Sequence, residues 1–313
     1  MKNLKRIKYR IDTGSLIGDN PKCNLNCEYC HKDFFTLPDY GKCSTTMMFA
    51  DSIAMLEEVF ENDERQRKIH FSGRVEPLLV KREVFEKEVK KINLMFPHIE
   101  KAMTTNGMLL CDKADMLKEL GINKINVSVH SNSLRLKKYI AGIEKAVSLG
   151  LNVSLNSIVT PDNVDNIGEV IDFARNKKVN VKFFLILGLN RIDSDFLFNK
   201  TMLKLKLISF SEGVFNESNG RYEFKTKEGI MITMNTPATD RLRPDECFAC
   251  KEFSKCEEGC WDSIGITNKY IKPCGVRDDN VFYFDGSTTE DLKEKLKSGG
   301  KLNSVNYKPI KIY

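Results

Sequence analysis

Short runs of β-branched and apolar residues recur along the chain at Ile7–Ile11, Lys68–Ser72, Ile99–Thr105, Ile122–Val129, Leu151–Val159 and Val179–Leu187. Each interval between them leaves room for one helix. Several intervals carry apolar residues three or four apart, as in Phe49-Ile53-Leu56-Val59-Phe60, Val84-Phe85-Val89-Ile92 and Val164-Ile167-Val170-Ile171-Phe173-Ala174. That spacing gives one apolar helix face. Strands alternating with amphipathic helices predict a parallel sheet with right-handed crossovers. Six such units predict an α/β fold built as a partial, open (β/α)6 TIM-like barrel. A complete eight-unit barrel is the alternative, but the periodicity degrades after Leu187.

From Gly188 the texture changes. A polar stretch, Asn190–Lys200, precedes an apolar, helix-like Met202–Phe210, and Arg221–Thr236 nearly alternates around Glu228-Gly229, which reads as a β-hairpin. The expected organisation is a core over residues 1–190 and a smaller C-terminal domain over residues 191–313. The segment Lys301–Tyr313 carries no readable pattern.

Composition narrows the possibilities. With 313 residues, 41% of them apolar, the chain can bury a large core and is long enough for one big domain plus a smaller annex. No run of about eighteen apolar residues is present, and the basic start M-K-N-L-K-R-I-K-Y-R has no apolar segment behind it. The expectation is a cytoplasmic protein without membrane association. A net charge of +6, with lysines and glutamates interspersed as in Glu86-Lys87-Glu88, does not call for nucleic acid. It suits an anionic substrate or an acidic electron donor.

The ten cysteines carry the chemistry. Cys23, Cys27 and Cys30 form a C-x3-C-x2-C run, and Cys247, Cys250, Cys256, Cys260 and Cys274 crowd a second segment. Disulfides are the plain alternative, but tight clustering without a secretion signal points to metal ligation in a reducing compartment. Zinc sites usually pair C-x2-C with a second ligand pair, which the first run does not supply. Closely spaced thiolates are the usual protein ligands of iron–sulfur clusters, and three of them leave one iron of a cubane open to an exogenous chelator. Cys43 and Cys111 stand alone, and burial accounts for them.

Other polar positions fall where the expected strands end, the edge at which parallel βα architectures bind ligands. They include H-F-S-G-R-V-E-P-L-L (His70 to Leu79), M-T-T-N-G-M-L-L (Met103 to Leu110), Ser128 in I-N-V-S-V-H-S, and Asn156 in L-N-V-S-L-N-S-I-V. Taken singly, each is a turn or an inert strand residue. At successive strand ends they outline a pocket. His31 and His130 lie nearby and read as hydrogen-bonding neighbours, not as acids or bases.

The run N-P-K-C-N-L-N-C-E-Y-C-H (Asn20 to His31), with the Gly73–Glu76 and Asn106-Gly107 motifs, resembles the radical S-adenosylmethionine (SAM) superfamily. The resemblance implies a SAM-binding [4Fe-4S] cluster on Cys23, Cys27 and Cys30. It implies reductive cleavage of SAM to a 5′-deoxyadenosyl radical, with a flavodoxin or ferredoxin as electron donor. It also implies SAM contacts at Tyr29, Ser72, Gly73, Glu76, Asn106, Ser128, Asn156 and Leu187. Relative to the family's G-G-E-P element, the turn here is one residue longer, because Arg74 and Val75 separate Gly73 from Glu76.

The second segment, C-F-A-C-K-E-F-S-K-C-E-E-G-C followed by Cys274, is similar to the SPASM and twitch auxiliary-cluster domains. This implies one auxiliary [4Fe-4S] cluster. The SPASM pattern would use Cys247, Cys250, Cys256 and Cys274; the twitch pattern would use Cys256, Cys260 and Cys274 and leave an iron open to substrate. The stretch Cys260 to Cys274, with Asn268-Lys269 at its turn, looks like the twitch hairpin of the molybdopterin-precursor GTP cyclase. That family has C-R-x-R where this chain has C-W-D-S (Cys260 to Ser263). The implied substrate is a nucleotide- or sugar-like small molecule, with a ribosomal peptide as the second reading. The competing class is a non-catalytic zinc or iron–sulfur binding module.

Overall fold

Six βα units alternate along the chain: β1 (Arg6–Asp12), α1 (Phe49–Val59), β2 (Gln66–Ser72), α2 (Arg82–Met95), β3 (Glu100–Thr105), α3 (Leu110–Glu119), β4 (Lys124–Val129), α4 (Lys137–Ser148), β5 (Asn152–Val159), α5 (Ile167–Lys177), β6 (Asn180–Leu185) and α6 (Arg191–Ser209). The remaining elements are β7 (Val214–Asn216), β8 (Arg221–Lys225), β9 (Met231–Asn235), β10 (Arg241–Arg243), α7 (Asp245–Phe248), β11 (Ser263–Ile266), β12 (Tyr270–Lys272), β13 (Phe282–Tyr283), α8 (Thr289–Ser298) and β14 (Lys308–Ile310). The structure is a computed structural model. It describes residues 6–18, 21–27, 29–30, 42–129, 133–186, 191–216, 221–235, 241–243, 245–251, 253, 262–275, 277, 279–302 and 308–310.

The chain divides into two compact units, Met1–Met103 with Leu242–Pro309, and Thr104–Arg241 with Ile310–Tyr313. In the first unit β1 pairs in parallel with β2, and β2 with β3. On its other edge β1 pairs in parallel with β11, so the C-terminal segment extends the N-terminal sheet. β11, β12 and β13 then continue as antiparallel neighbours. In the second unit β4, β5, β6 and β9 are parallel, and β9, β8 and β7 form an antiparallel meander. This is the mixed α/β order expected of a partial (β/α)6 barrel. The hairpin foreseen over Arg221–Thr236 is β8–β9.

Burial explains why these runs are strands. In β1 the alternation places Ile7, Tyr9 and Ile11 inside, and in β6 it places Val181, Phe183 and Leu185 inside. Helices α1 and α2 bury Ile53, Leu56, Phe85, Val89 and Ile92. Each fully buried side chain of this size contributes roughly 1.5–3 kcal/mol.

The β1–β11 pairing is tied by charge. Asp262, buried, accepts from Arg6 Nε and from Lys8 Nζ, both at 3.3 Å. Burial alone would raise the Asp262 carboxyl, but Lys8 and Arg6 outweigh it and hold the group well below the usual carboxylate range. Burial likewise pulls Lys8 down to about 8, against the opposing pull of Asp262.

One expectation differs from the structure. The polar stretch Asn190–Lys200 and the apolar Met202–Phe210 are not separate pieces: a single 19-residue helix, α6, spans Arg191–Ser209. Leu197, Thr201, Leu205 and Ser209 recur every four residues and are all buried, which continues the helix through its polar half.

Candidate functional site

The residues with candidate chemistry follow the C-terminal ends of parallel strands. In the first unit, Asp12 closes β1 in register with Ser72, which closes β2, so the cysteine loop leaves the sheet beside Ser72 and Gly73. Asp12 organises this corner. Its Oδ1 accepts from the Gly14 backbone N–H at 3.0 Å, and its Oδ2 accepts from Arg74 Nε at 2.8 Å. Gly73 has φ +143, and a Cβ there would stand 2.1 Å from Asp12 Oδ1, so any larger residue collides with the carboxylate. The extra residue of this turn is thereby accounted for: Arg74 folds back onto Asp12, and Val75 is buried. Glu76, also buried, accepts from the Leu78 N–H at 3.1 Å and caps a short 3-10 turn, Pro77–Leu79.

Within the loop, the Cys30 N–H donates to the Cys27 carbonyl at 3.1 Å, closing a turn, while the Cys23 thiol donates to Asn24 Oδ1 at 3.7 Å. All three cysteines are half-buried and carry free thiols. Tyr29 sits among them. Burial, followed by the nearby Cys27 and Cys30, pushes its hydroxyl up to about 12, so it stays a neutral donor. Among the described residues no three Cys, His, Asp or Glu side chains gather tightly enough to hold a single metal ion. A cubane spaces its thiolates more widely than one ion does, and three half-exposed thiols on one short loop fit that donor set. His31 lies outside the described residues.

In the second unit, Asn106 accepts from the Met108 N–H at 3.1 Å, and Gly107 takes φ +79 against the ring of Tyr139. The Tyr139 hydroxyl in turn donates to the Ser128 carbonyl at 3.0 Å. Ser128, Asn156, Lys182 and Thr233 are successive register partners across β4, β5, β6 and β9, so one face of this sheet carries a polar row. The opposite face, with Val127, Leu155, Val181 and Ile232, is buried and apolar. On the polar face Lys182 Nζ donates to Asn126 Oδ1 at 2.9 Å. Asn156 Oδ1 and Asn235 Oδ1 are both buried without a hydrogen-bond partner. An orphaned buried acceptor costs about 1–3 kcal/mol, and a ligand hydroxyl or amine removes that cost. Asn156 thus fits a cofactor contact. Asn235 was not foreseen, because a polar residue at the end of a hairpin strand carries no signal until its neighbour β6 is known. His130 and Leu187 lie outside the described residues.

The second cysteine segment belongs to the first unit. Cys247 lies on α7, and the Cys250 N–H donates to the Cys247 carbonyl at 3.1 Å. Cys274 follows β12, where its Sγ accepts from the Arg277 N–H at 3.5 Å. The Arg277 guanidinium is held by Asp279 at 2.7 and 2.9 Å and donates to the Ser298 carbonyl at 2.9 Å. It remains protonated, raised first by Asp279 and further by Cys250 and Cys274. The hairpin foreseen between Cys260 and Cys274 is β11–β12, turning over Thr267–Lys269. Cys256 and Cys260 lie outside the described residues. In the C-W-D-S stretch (Cys260 to Ser263), Asp262 is engaged with Arg6 and Lys8. Cys43 is buried and its thiol donates to the Thr45 carbonyl, a structural role. No helix among the described residues is long and apolar enough to cross a membrane.

Comparison with known proteins places this geometry. The chain is similar to the GTP 3',8-cyclase of Nautilia profundicola, with 28% identity over 303 residues covering 89% of this chain and 82% of that protein. It is also similar to the probable GTP 3',8-cyclase of Methanococcus aeolicus, with 26% identity over 310 residues covering 94% and 93%. The crystal structure of Streptococcus suis SuiB bound to S-adenosylmethionine shares the fold with a TM-score of 0.53 at 14% identity, over 94% of this chain and 64% of that one. The model of the radical SAM superfamily matches residues 19–197, which contain the cysteine loop, the Gly73 turn and the polar strand ends. On that match the chain belongs to the radical SAM superfamily, and it is an enzyme.

Proposed function

We propose that this enzyme cleaves SAM reductively and uses the resulting 5′-deoxyadenosyl radical to abstract a hydrogen from a nucleotide- or sugar-like small molecule. The observation that carries the reading is the cysteine loop: three half-exposed thiols, Cys23, Cys27 and Cys30, delivered by one turn beside the ends of β1 and β2. These thiols hold a [4Fe-4S] cluster, which when bound supplies the electron for cleavage. Tyr29 stays neutral beside them. Ser72, Gly73 and Glu76 shape the turn that receives the amino-acid end of SAM. Asn106, Ser128 and Asn156 face its ribose and carboxylate, with Asn156 supplying an acceptor that has no partner of its own. Leu187 completes the set. Buried, water-poor surroundings preserve a reactive species until it meets its target.

The nucleotide-like substrate class rests on the full-length likeness to GTP 3',8-cyclases. Trp261 and Ser263, where that family's C-R-x-R stretch has its arginines, argue that a triphosphate is not held there as in that family. The C-terminal domain over residues 191–313 would carry an auxiliary [4Fe-4S] cluster, drawing on Cys247, Cys250, Cys256, Cys260 and Cys274. A flavodoxin or ferredoxin would supply electrons in the cytoplasm. A ribosomal peptide is the second substrate reading. Anaerobic reconstitution, SAM, dithionite and GTP or a nucleotide panel test the proposal: 5′-deoxyadenosine formation stimulated by a substrate carrying a transferable deuterium supports it. No SAM cleavage, with zinc in place of iron, overturns it.

A further inference from the structure

Helix α6 is apolar on two opposite faces. Its inward face buries Leu197, Thr201 and Leu205. On the other side Ile192, Phe196, Leu203 and Leu207 fall within one narrow stripe, and Phe210 extends it past the helix end; these five side chains are 60% to 82% exposed. A surface helix normally turns a polar face to water, as α3 and α5 do. Five large apolar side chains aligned over a helix about 28 Å long are a contiguous patch, not scattered exposure.

Phe210 strengthens the case. It takes φ +53, the left-handed position that usually belongs to glycine at a helix end. The chain carries an aromatic there, 79% exposed, with Lys227 Nζ 5.0 Å from the ring centroid. Backbone strain combined with an exposed aromatic ring marks a contact position.

The pattern also says what covers the stripe. Ile192 and Phe210 lie nine residues either side of Thr201, while Asp195 and Lys206 lie six and five residues from it and Phe196 and Leu207 five and six. Two antiparallel copies of α6 crossing near Thr201 therefore bring apolar residues towards apolar residues, and Asp195 of one copy to within one residue's rise, about 1.5 Å along the axis, of Lys206 of the other, at both ends. Asp195 and Lys206 flank the same edge of the stripe, which is the edge a two-fold axis brings together. Lys206 already reaches Glu212 at 2.7 Å, so the intermolecular pair adds to a local acid–base cluster.

We propose that α6 is the self-association surface of this protein, joining two copies as an isologous dimer through antiparallel stripes. Analytical ultracentrifugation of the full chain, under reducing anaerobic conditions over a wide concentration series, tests it. The expected result is a reversible monomer–dimer equilibrium. Leu203→Glu with Leu207→Glu weakens it at least about 100-fold, while circular dichroism and melting temperature show the fold retained. The single swaps Asp195→Lys and Lys206→Asp each weaken dimerisation roughly three- to fivefold, and the double swap restores it. A wild-type chain that stays monomeric throughout overturns the proposal, as does a dimer indifferent to the Leu203 and Leu207 changes. Failure of the double swap to restore association overturns the antiparallel register.

Discussion

The two cysteine-rich regions differ in how they are built. Cys23, Cys27 and Cys30 come from one loop between residues already fixed by a parallel strand pair, so their neighbourhood is set by local sequence. Cys247, Cys250 and Cys274 come from a short helix, the turn after it and the end of a hairpin, and Arg277 stands at the last of these. The difference teaches that a spacing motif is easiest to read when the turn that spaces the residues also positions them. The second region depends on long-range pairing, above all of β11 with β1.

The largest expected effect separates the two regions directly. Replacing Cys23, Cys27 and Cys30 with alanine should abolish SAM cleavage and remove roughly four irons per chain. Replacing Cys247 and Cys274 should lower the iron count by a similar amount yet leave dithionite-driven 5′-deoxyadenosine formation measurable. Iron and sulfide counting with product chromatography reads both.

Next comes the tie that brings the C-terminal segment to β1. Asp262→Asn leaves Lys8 and Arg6 facing an uncharged amide and should lower unfolding stability by about 3 kcal/mol in urea titrations near pH 7. The sign with pH follows from the depressed carboxyl of Asp262. Its contribution is complete above the unfolded value, roughly 3.9, and disappears as pH falls through the folded one. The gap between wild type and variant should therefore hold from about pH 7 to about pH 5 and close below about pH 4.

Smaller effects belong to the residues proposed to contact the cofactor. Gly73→Ala drives a methyl group against Asp12 and should cost about 2 kcal/mol of stability while raising the SAM dissociation constant several-fold. Asn156→Leu should weaken SAM about tenfold in equilibrium dialysis but leave the melting temperature unchanged or higher, because the acceptor it removes has no partner in the protein. A large loss of stability in that variant would show the amide to be structural instead.

Much of the fold was legible because apolar alternation and helical spacing are local. The six strands expected between Ile7 and Leu187 are β1 to β6, with ends shifted by a residue or two. Helix α6 was read as two pieces because its polar N-terminal half hides a buried four-residue repeat. At the site, the cysteine loop and Gly73 could be read from spacing and residue type. The engagement of Arg74 with Asp12, of Asp262 with Arg6 and Lys8, and the donation from Arg277 to Cys274 could not. Charged residues distant in sequence or common in turns carry no periodic signal, and their partners emerge only once strands are paired.

The most direct test of the central claim uses the unaltered chain: anaerobically reconstituted protein, SAM and dithionite, with 5′-deoxyadenosine and methionine quantified over time. The account predicts that both products accumulate with the first-region cluster in place. Intact SAM in the presence of a fully assembled, reduced four-iron cluster on that loop would contradict it.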